Sequence, residues 1–321
     1  MEDKQSGSIG ARISEALLSG CKGALRTIWL LLRVIAPVTF AVALLDWLGA
    51  LAWFSRLLSP IMGLVGLPGD AALVFISSIF FNIYIAVAVA LSMPLDLRSM
   101  TILAIMCLTA HNLIVETAVM KKTGSSGAKM AALRVFSAFA AAYAFNLLLP
   151  PSMSSIPFSS ASSSARPDFL GMILAWALRT GLLALKIVVI VISVMIIQRL
   201  LEEFKAMDFL SRPFAPIVRL FGLPGEASFL WIVINVVGYA YGAGIVESQV
   251  KDGKMKKQEA DLFNHHASLC HSLFEDTVLF LAVGIPLFWI TVPRFIMAFL
   301  AVWIERGRRR FLRRSFRVGT E

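Results

Sequence analysis

The sequence predicts an all-α polytopic membrane protein built from two inverted-topology repeats. Three observations lead to this prediction: the chain is very apolar, its apolar segments are long enough to span a membrane, and its two halves resemble each other. Hydrophobic residues make up 58% of the 321 residues, 16% are charged, and the mean hydropathy is +0.78. Soluble domains carry roughly 25% charged residues, so this composition indicates a chain with much of its surface in lipid.

Several apolar segments are long enough to cross a bilayer, for which a helix needs about 20 residues. The first of them, residues 27–49, is too long for a cleaved signal peptide and is predicted to remain as a span. Residues 213–221 are shorter and amphipathic, and residues 229–246 are apolar but contain several glycines and tyrosines. The other candidate membrane segments are residues 71–91, 100–120, 130–149, 181–197, 262–283 and 286–304.

The two halves of the chain are copies of one unit. Residues 54–71 read FSRLLSPIMGLVGLPGDA and residues 210–227 read LSRPFAPIVRLFGLPGEA, with ten identical positions at an offset of 156. Further along, the segment beginning at His111 recurs at His271 with an offset of 160, and Arg134 recurs there as Arg294. We therefore predict a cytoplasmic N-terminal segment (1–21), a first repeat (22–150), a serine- and proline-rich linker (151–167), a second repeat (168–306) and a basic cytoplasmic tail (307–321).

The distribution of positive charge predicts that the second repeat is upside down relative to the first. If residues 71–93 and 227–247 are re-entrant hairpins, each repeat crosses three times, and 23 Lys and Arg residues are cytoplasmic against 5 outside. If these segments cross fully, the copies are parallel and the counts are 18 and 10. Because Lys and Arg accumulate in the cytoplasm, we favour the inverted arrangement in the inner (plasma) membrane, with both termini cytoplasmic. Full crossings are the alternative.

Each repeat is predicted to contain a re-entrant or broken helical hairpin and about three crossing helices. A hairpin arm of about 11 residues spans roughly 16 Å and ends near the bilayer midplane. The tips would lie near Asn82 and Tyr84 in the first repeat and near Tyr239 and Tyr241 in the second. Before each hairpin, a GLPGD or GLPGE motif breaks one helix and places an acid at the start of the next, where capping and the helix dipole favour it.

Ionisable residues lie near the centres of two predicted spans, where each acid costs about 2.5–3.5 kcal/mol if it faces lipid. Residues Asp261 to Glu275 place polar groups every three or four positions, which puts them on one face of a continuous helix. They form either a substrate or ion site or a set of interhelical hydrogen bonds, and a transition-metal site is a further alternative. The predicted substrate-binding residues are His111, Asn112, Glu116, His271, Ser272, Glu275, Asp276, Asn82, Tyr84, Tyr239 and Tyr241.

Other functional classes receive little support from the sequence. The three cysteines are far apart, so neither a disulfide framework nor a zinc cluster is expected. No HExxH or GxSxG motif is present, so we predict no enzyme and no cofactor. The net charge of +10 includes seven arginines between residues 306 and 317. They indicate a cytoplasmic flank in contact with lipid headgroups rather than a nucleic-acid interface.

GLPGDAALVF followed by AHNLIVETAVMKKTG, and GLPGEASFLW followed by CHSLFEDT, resemble the nucleoside-recognition, or Gate, domain family of membrane proteins. The resemblance covers both repeats and extends to the gate regions of the ferrous iron transporter B, to spore maturation proteins A and B and, more distantly, to concentrative nucleoside transporters. It implies interfacial helices at residues 51–64 and 207–220. It also implies a transporter or permease for a small polar or ionic solute. The residues themselves leave divalent metal transport and a non-transporting scaffold in an envelope complex as alternatives. The expected partners are the solute and the lipid bilayer, and a homo-oligomer is compatible with this reading.

Overall fold

The computed structural model describes residues 8–155 and 168–318, and these ranges form α-helices joined by short turns, without a β-strand. Residues 1–7, 156–167 and 319–321 lie outside the described residues. They include most of the predicted linker and the ends of the predicted N-terminal segment and tail. The predicted all-α class is confirmed.

The helices of the first half recur in the same order in the second half. The first half contains α1 (Ile9–Trp47), α2 (Ala50–Gly63), α3 (Ala71–Phe80), α4 (Ile83–Leu91), α5 (Leu97–Ala110), α6 (Leu113–Lys122) and α7 (Gly127–Leu148). The second half contains α8 (Phe169–Glu203), α9 (Ala206–Leu220), α10 (Ser228–Val236), α11 (Tyr239–Lys251), α12 (Lys257–Ala267), α13 (Leu273–Ala282) and α14 (Leu287–Val318). Short 3-10 helices occur at Pro151–Ser155 and Gly225–Ala227. Each helix of the first half thus has a counterpart seven helices later.

Among the described residues, five helical stretches are long and apolar enough to cross a membrane. In four of them only 28% of the most apolar window is buried within the protein. Large apolar side chains such as Trp29 and Leu178 are 71% and 66% exposed, as expected for surfaces in contact with lipid. The five stretches are Ile9–Trp47, Leu97–Lys122, Gly127–Leu148, Phe169–Glu203 and Leu287–Leu312.

The helices α1 and α8 begin well before the spans predicted for them, which started at residues 27 and 181. Ser8 and Asp168 cap their N-termini, because each side chain accepts a hydrogen bond from a backbone N–H three residues later. With 39 and 35 residues, the helices are about 50–60 Å long and exceed a hydrocarbon core of about 30 Å. The apolar pattern did not reveal these N-terminal extensions, because polar residues separate them from the long apolar runs.

The described chain divides into two compact units, the first of which comprises residues 8–77, 82–100, 150–155 and 168–209. In this unit α1 and α8, which are equivalent in the two repeats, run antiparallel. At one end Arg12 pairs with Glu203 at 2.8 Å, and at the other the rings of Trp47 and Phe169 are 5.3 Å apart.

The second unit comprises residues 78–81, 101–149 and 210–318. Within it α7 and α14, again equivalent helices, run antiparallel. Lys129 near the start of α7 pairs with Glu305 in the second half of α14 at 2.7 Å, and Phe145 near the end of α7 packs against Trp289 at 5.3 Å. The polar centre described below belongs to this unit.

Several helices end inside segments that the sequence analysis predicted as single spans or as hairpins. The breaks predicted at the two hairpin tips are confirmed, since α3 and α4 are separated at residues 81–82 and α10 and α11 at residues 237–238. Two further breaks separate α5 from α6 at residues 111–112 and α12 from α13 at residues 268–272. The prediction of one continuous helix over residues 262–283 is therefore wrong. The polar residues from Asp261 to Glu275 are divided between two helices and the turn that joins them.

The repeated GLPG motif forms the tight turn that leads from α2 to α3 and from α9 towards α10. The equivalent residues Gly66 and Gly222 have φ angles of 72° and 77°, a left-handed conformation that favours glycine. A Cβ atom on Gly69 would lie 1.9 Å from the carbonyl oxygen of Ser55, so a larger residue does not fit there. Asp70 directly precedes α3, and burial raises the pKa of its carboxyl group.

Candidate functional site

Two histidines from equivalent positions of the repeats face each other inside the second unit. His111 and His271 are 6% and 1% exposed, and their Nε2 atoms lie 3.3 Å apart. The Nδ1 atom of each ring lies against a backbone carbonyl four residues earlier, that of Cys107 at 3.1 Å and that of Ala267 at 2.6 Å. Because a carbonyl oxygen only accepts hydrogen bonds, each Nδ1 carries a proton and donates it. In the neutral rings, both Nε2 atoms therefore present lone pairs to each other.

Glu116 completes this arrangement with a carboxylate oxygen. Its Oε1 atom lies 3.5 Å from Nε2 of His111 and 3.3 Å from Nε2 of His271. Glu116 is 7% exposed, so the whole group is shielded from solvent. We call His111, Glu116 and His271 the central site. Its three facing atoms form a nearly equilateral triangle.

The central site depends on the breaks between α5 and α6 and between α12 and α13. Asn112 and Ser272 have φ angles of 48° and 50°, a left-handed conformation that is uncommon outside glycine. The backbone N–H of Asn112 donates to the carbonyl of Ser78 at 2.8 Å, and that of Ser272 donates to the carbonyl of Ile234 at 2.9 Å. Ser78 and Ile234 are equivalent positions near the ends of α3 and α10. Each repeat thus attaches its broken helix to the first arm of its own predicted hairpin.

A fully buried arginine supports the break in the first repeat. Arg134 in α7 donates from Nε to the carbonyl of Thr109 at 2.9 Å and from Nη2 to the carbonyl of His111 at 2.7 Å. Its Nη1 atom lies 2.7 Å from Oε2 of Glu116. The guanidinium therefore binds the carbonyls that the break leaves without helical partners, and it also orients the carboxylate of the central site.

The equivalent arginine of the second repeat, Arg294 in α14, donates to the carbonyl of His271 and lies 3.4 Å from Oδ2 of Asp276. Both arginines are 0% exposed. They therefore lie inside the protein, although the charge count placed them in segments beside the membrane. Leaving them out changes the counts for the inverted arrangement to 22 and 4. Neither arginine was among the predicted site residues, although their recurrence at an offset of 160 was a visible signal.

Tyr239 connects the central site with the polar loop between α6 and α7. Its ring centroid is 5.7 Å from that of His271, and its hydroxyl donates to Oδ1 of Asn264 at 2.9 Å. The amide of Asn264 in turn donates to the hydroxyls of Thr123 and Ser125 at 2.8 and 2.9 Å. Asn264 belonged to the predicted polar face but not to the predicted binding residues. The sequence analysis had no pattern that pointed to the hydroxyls of Thr123 and Ser125.

A second group of histidine and carboxylates lies in the same unit. Nδ1 of His265 is 3.7 Å from Oδ2 of Asp261, and Nε2 is 3.8 Å from Oε2 of Glu305. Three cationic side chains bind Glu305 at 2.7–2.8 Å. Asp261 accepts one hydrogen bond from Ser125 at 2.6 Å and another from an arginine that also binds Glu305. We call this group the ion-pair cluster, and its members are Asp261, His265, Glu305, Lys129, Arg308 and Arg309.

The remaining predicted binding residues are in several places. Asn112 and Ser272 contribute their backbone conformation next to the two histidines, and Glu275 is half-buried one position before Asp276. Tyr241 is 57% exposed, unlike the buried Tyr239. Asn82 and Tyr84 belong to the first unit, where Oδ1 of Asn82 accepts from the N–H of Ile85 and caps α4.

These features define a polytopic α-helical membrane protein in which equivalent positions of two repeats form a buried polar centre. The model of the Gate family, described as nucleoside recognition, matches residues 184–286. The chain is also similar to a protein of Bacillus subtilis (strain 168) described as the uncharacterized membrane protein YvoD, with 32% identity over 290 residues. That alignment covers 90% of this chain and 93% of the relative. No solved structure matches the chain. The chain belongs to the Gate family of membrane proteins, which confirms the resemblance found in the sequence.

Proposed function

We propose that this protein transports a small polar or ionic solute across the plasma membrane and that the solute binds at the central site. The observation that carries the proposal is the meeting of His111 and His271 beside Glu116, at equivalent positions next to two helix breaks. Transporters built from repeats place their sites near the bilayer midplane, where broken helices offer polar backbone groups. Buried ionisable residues in membrane segments are costly, and they mark substrate or ion pathways in such proteins.

The transport mechanism we propose is alternating access between two inverted repeats. Two observations support the inversion. Equivalent helices run antiparallel in both units, α1 against α8 and α7 against α14. The corrected count of 22 cytoplasmic against 4 external Lys and Arg residues also follows the rule that positive charge stays inside.

The topology is testable with single cysteines and a membrane-impermeant maleimide, in a chain whose half-buried Cys21 is replaced by serine. Lys122→Cys should react only after the cells are opened, because the inverted arrangement places it in the cytoplasm. Ser160→Cys should react in intact cells. If both positions are labelled from the same side, the inverted arrangement is wrong.

The alternative reading is a scaffold in which the buried polar groups only hold helices together. Glu116→Gln and Asp276→Asn distinguish the two readings, because each keeps the side-chain shape and removes the charge. We expect both variants to lose uptake in proteoliposomes, measured against a panel of nucleosides, divalent metals and organic acids. Each variant also leaves a buried arginine without its carboxylate, so some loss of stability is expected as well, and uptake is compared per folded molecule. Glu247→Gln is the matched control, because this carboxylate is 37% exposed and pairs with Lys251, and it should transport normally.

A structural lock would lower stability and leave uptake per folded molecule unchanged. Removing one partner of a buried ion pair leaves the other unpaired and typically costs about 3–5 kcal/mol. A large loss of stability in Glu116→Gln, with unchanged uptake per folded molecule, would therefore overturn the proposed function.

A further inference from the structure

We infer that the substrate bound at the central site is a divalent first-row transition-metal ion, held by Nε2 of His111, Nε2 of His271 and Oε1 of Glu116. The inference rests on the proposed function, because it names the substrate class for the same site. Two histidines and one carboxylate are a donor set that suits such ions, whereas Mg²⁺ and Ca²⁺ prefer oxygen ligands alone.

The spacing of the three donor atoms matches that of ligands around one ion. Zn–N bonds of about 2.0–2.1 Å in a tetrahedral site place neighbouring ligand atoms about 3.3–3.4 Å apart. The observed separations are 3.3 Å between the two nitrogens, and 3.3 and 3.5 Å from the nitrogens to the oxygen. An ion can therefore contact all three atoms without a large rearrangement of the site.

The surrounding groups orient the donors towards the same point. The Nδ1 bonds of both rings to backbone carbonyls fix the ring orientation and leave Nε2 for the ion, as is usual for histidines that ligate metals. Arg134 binds Oε2 of Glu116, which directs the other oxygen, Oε1, to the histidines. Three lone pairs that face one another in a buried space repel each other, and a cation between them removes this repulsion.

The charges near the site suit an ion that has to leave again. Glu116 and Asp276 contribute two negative charges, and their buried partners Arg134 and Arg294 contribute two positive charges. These four buried charges cancel one another and therefore do not neutralise the charge of a bound divalent ion; a further acid, Glu275, is half-buried next to Asp276. Because fewer uncompensated anionic ligands weaken cation binding, we expect the moderate affinity that transport requires.

The ion-pair cluster provides an internal comparison, since donor atoms of Asp261, His265 and Glu305 also lie within 4.8 Å of one another. There the carboxylate oxygens are already bound by Lys129, Arg308 and Arg309. These fixed cations occupy the places that a metal ion would take and repel it. The structure thus assigns the metal to the central site and not to this cluster.

The test uses the purified full-length protein in detergent, with Co²⁺ and Zn²⁺ as probes. Co²⁺ bound by nitrogen and oxygen in a four-coordinate site gives an intense visible spectrum, which reports ligation independently of transport. We expect one Co²⁺ per chain, displaced by Zn²⁺ but not by excess Mg²⁺ or Ca²⁺. His111→Asn and His271→Asn should each weaken binding by about 100-fold, at least as much as loss of an outer-shell partner. His265→Asn, in the ion-pair cluster, should bind like the wild type.

Two results would overturn the metal assignment: absence of the Co²⁺ spectrum in the wild type, or loss of the spectrum only in His265→Asn. The wild-type displacement series keeps the test decisive even if a histidine variant folds poorly. If Co²⁺ does not bind while Glu116→Gln still abolishes uptake of another solute, the proposed function stands and the metal assignment fails. If Co²⁺ binds as expected but no ion is taken up, the metal assignment stands and the transport proposal fails.

Discussion

The second unit contains two groups of the same residue types in different surroundings. In the central site, two histidines direct Nε2 lone pairs at each other and at one carboxylate oxygen. In the ion-pair cluster, one histidine lies 3.7–3.8 Å from two carboxylates that already bind three cationic side chains. The residue types are therefore not what distinguishes the two groups. The difference is whether the carboxylate oxygens that face the histidines are already bound by cationic side chains, as those of Asp261 and Glu305 are.

The two groups also differ in the exposure of the cationic side chains that bind them. Arg134 and Arg294 at the central site are 0% exposed, and they bind backbone carbonyls next to the helix breaks. In the ion-pair cluster, the side chains of Lys129 and Arg308 are 37% and 52% exposed, so water can replace part of their interactions. The first group is a preorganised interior site, whereas the second is a connection between α7, α12 and α14 near solvent.

Replacing one arginine in each group should give the largest difference between them, and this difference is in stability. Arg134→Leu leaves the carbonyls of Thr109 and His111 and the carboxylate of Glu116 buried without their donor. We expect the free energy of unfolding to fall by about 3–5 kcal/mol, measured by denaturant titration in detergent. Arg308→Leu in the ion-pair cluster should lower it by at most about 1 kcal/mol, as for exposed ion pairs. Equal losses in the two variants would contradict this distinction.

The sequence was sufficient to predict the all-α class, the duplication and the presence of a polar centre around His111 and His271. Each of these follows from a pattern that a single chain carries: apolar segments of spanning length, blocks at fixed offsets and charges inside apolar segments. The helix breaks at the hairpin tips were also predictable, since Gly238 and its neighbours interrupt the apolar pattern there.

The breaks beside the histidines were not predictable in the same way. Asn112 and Ser272 adopt left-handed conformations without glycine or proline nearby in sequence, because distant carbonyls and a buried arginine stabilise them. These partners are distant in the sequence, so the residues around Asn112 and Ser272 do not predict the breaks. For the same reason Asp261 appeared to share a helix face with His271, although the break places it in the ion-pair cluster.

A smaller effect is expected from neutralising one carboxylate in each group. Glu305→Gln should lower the free energy of unfolding by about 1–2 kcal/mol. Hydrogen bonds to charged groups are worth about 1.5–3 kcal/mol, and water can replace part of what the half-exposed Lys129 and Arg308 lose. The Co²⁺ affinity of Glu305→Gln should equal that of the wild type, whereas Glu116→Gln should lose most of it. Titration of both variants with Co²⁺ checks the contrast. A weakened Co²⁺ spectrum in Glu305→Gln would mean that the ion-pair cluster takes part in binding.

The smallest expected effect concerns the residue that lies between the two groups. Tyr239 packs its ring against His271 and donates its hydroxyl to Asn264, which in turn binds the loop hydroxyl that donates to Asp261. Tyr239→Phe removes one buried hydrogen bond and keeps the ring, so we expect a loss of about 1 kcal/mol in the free energy of unfolding. The exposed Tyr241→Phe is the matched control and should have no measurable effect. Because the ring of Tyr239 remains in place, Co²⁺ binding at the central site should change less than about threefold, well under 1.4 kcal/mol. A tenfold change in Tyr239→Phe, absent from Tyr241→Phe, would show instead that the central site and the ion-pair cluster are energetically coupled through this chain of hydrogen bonds.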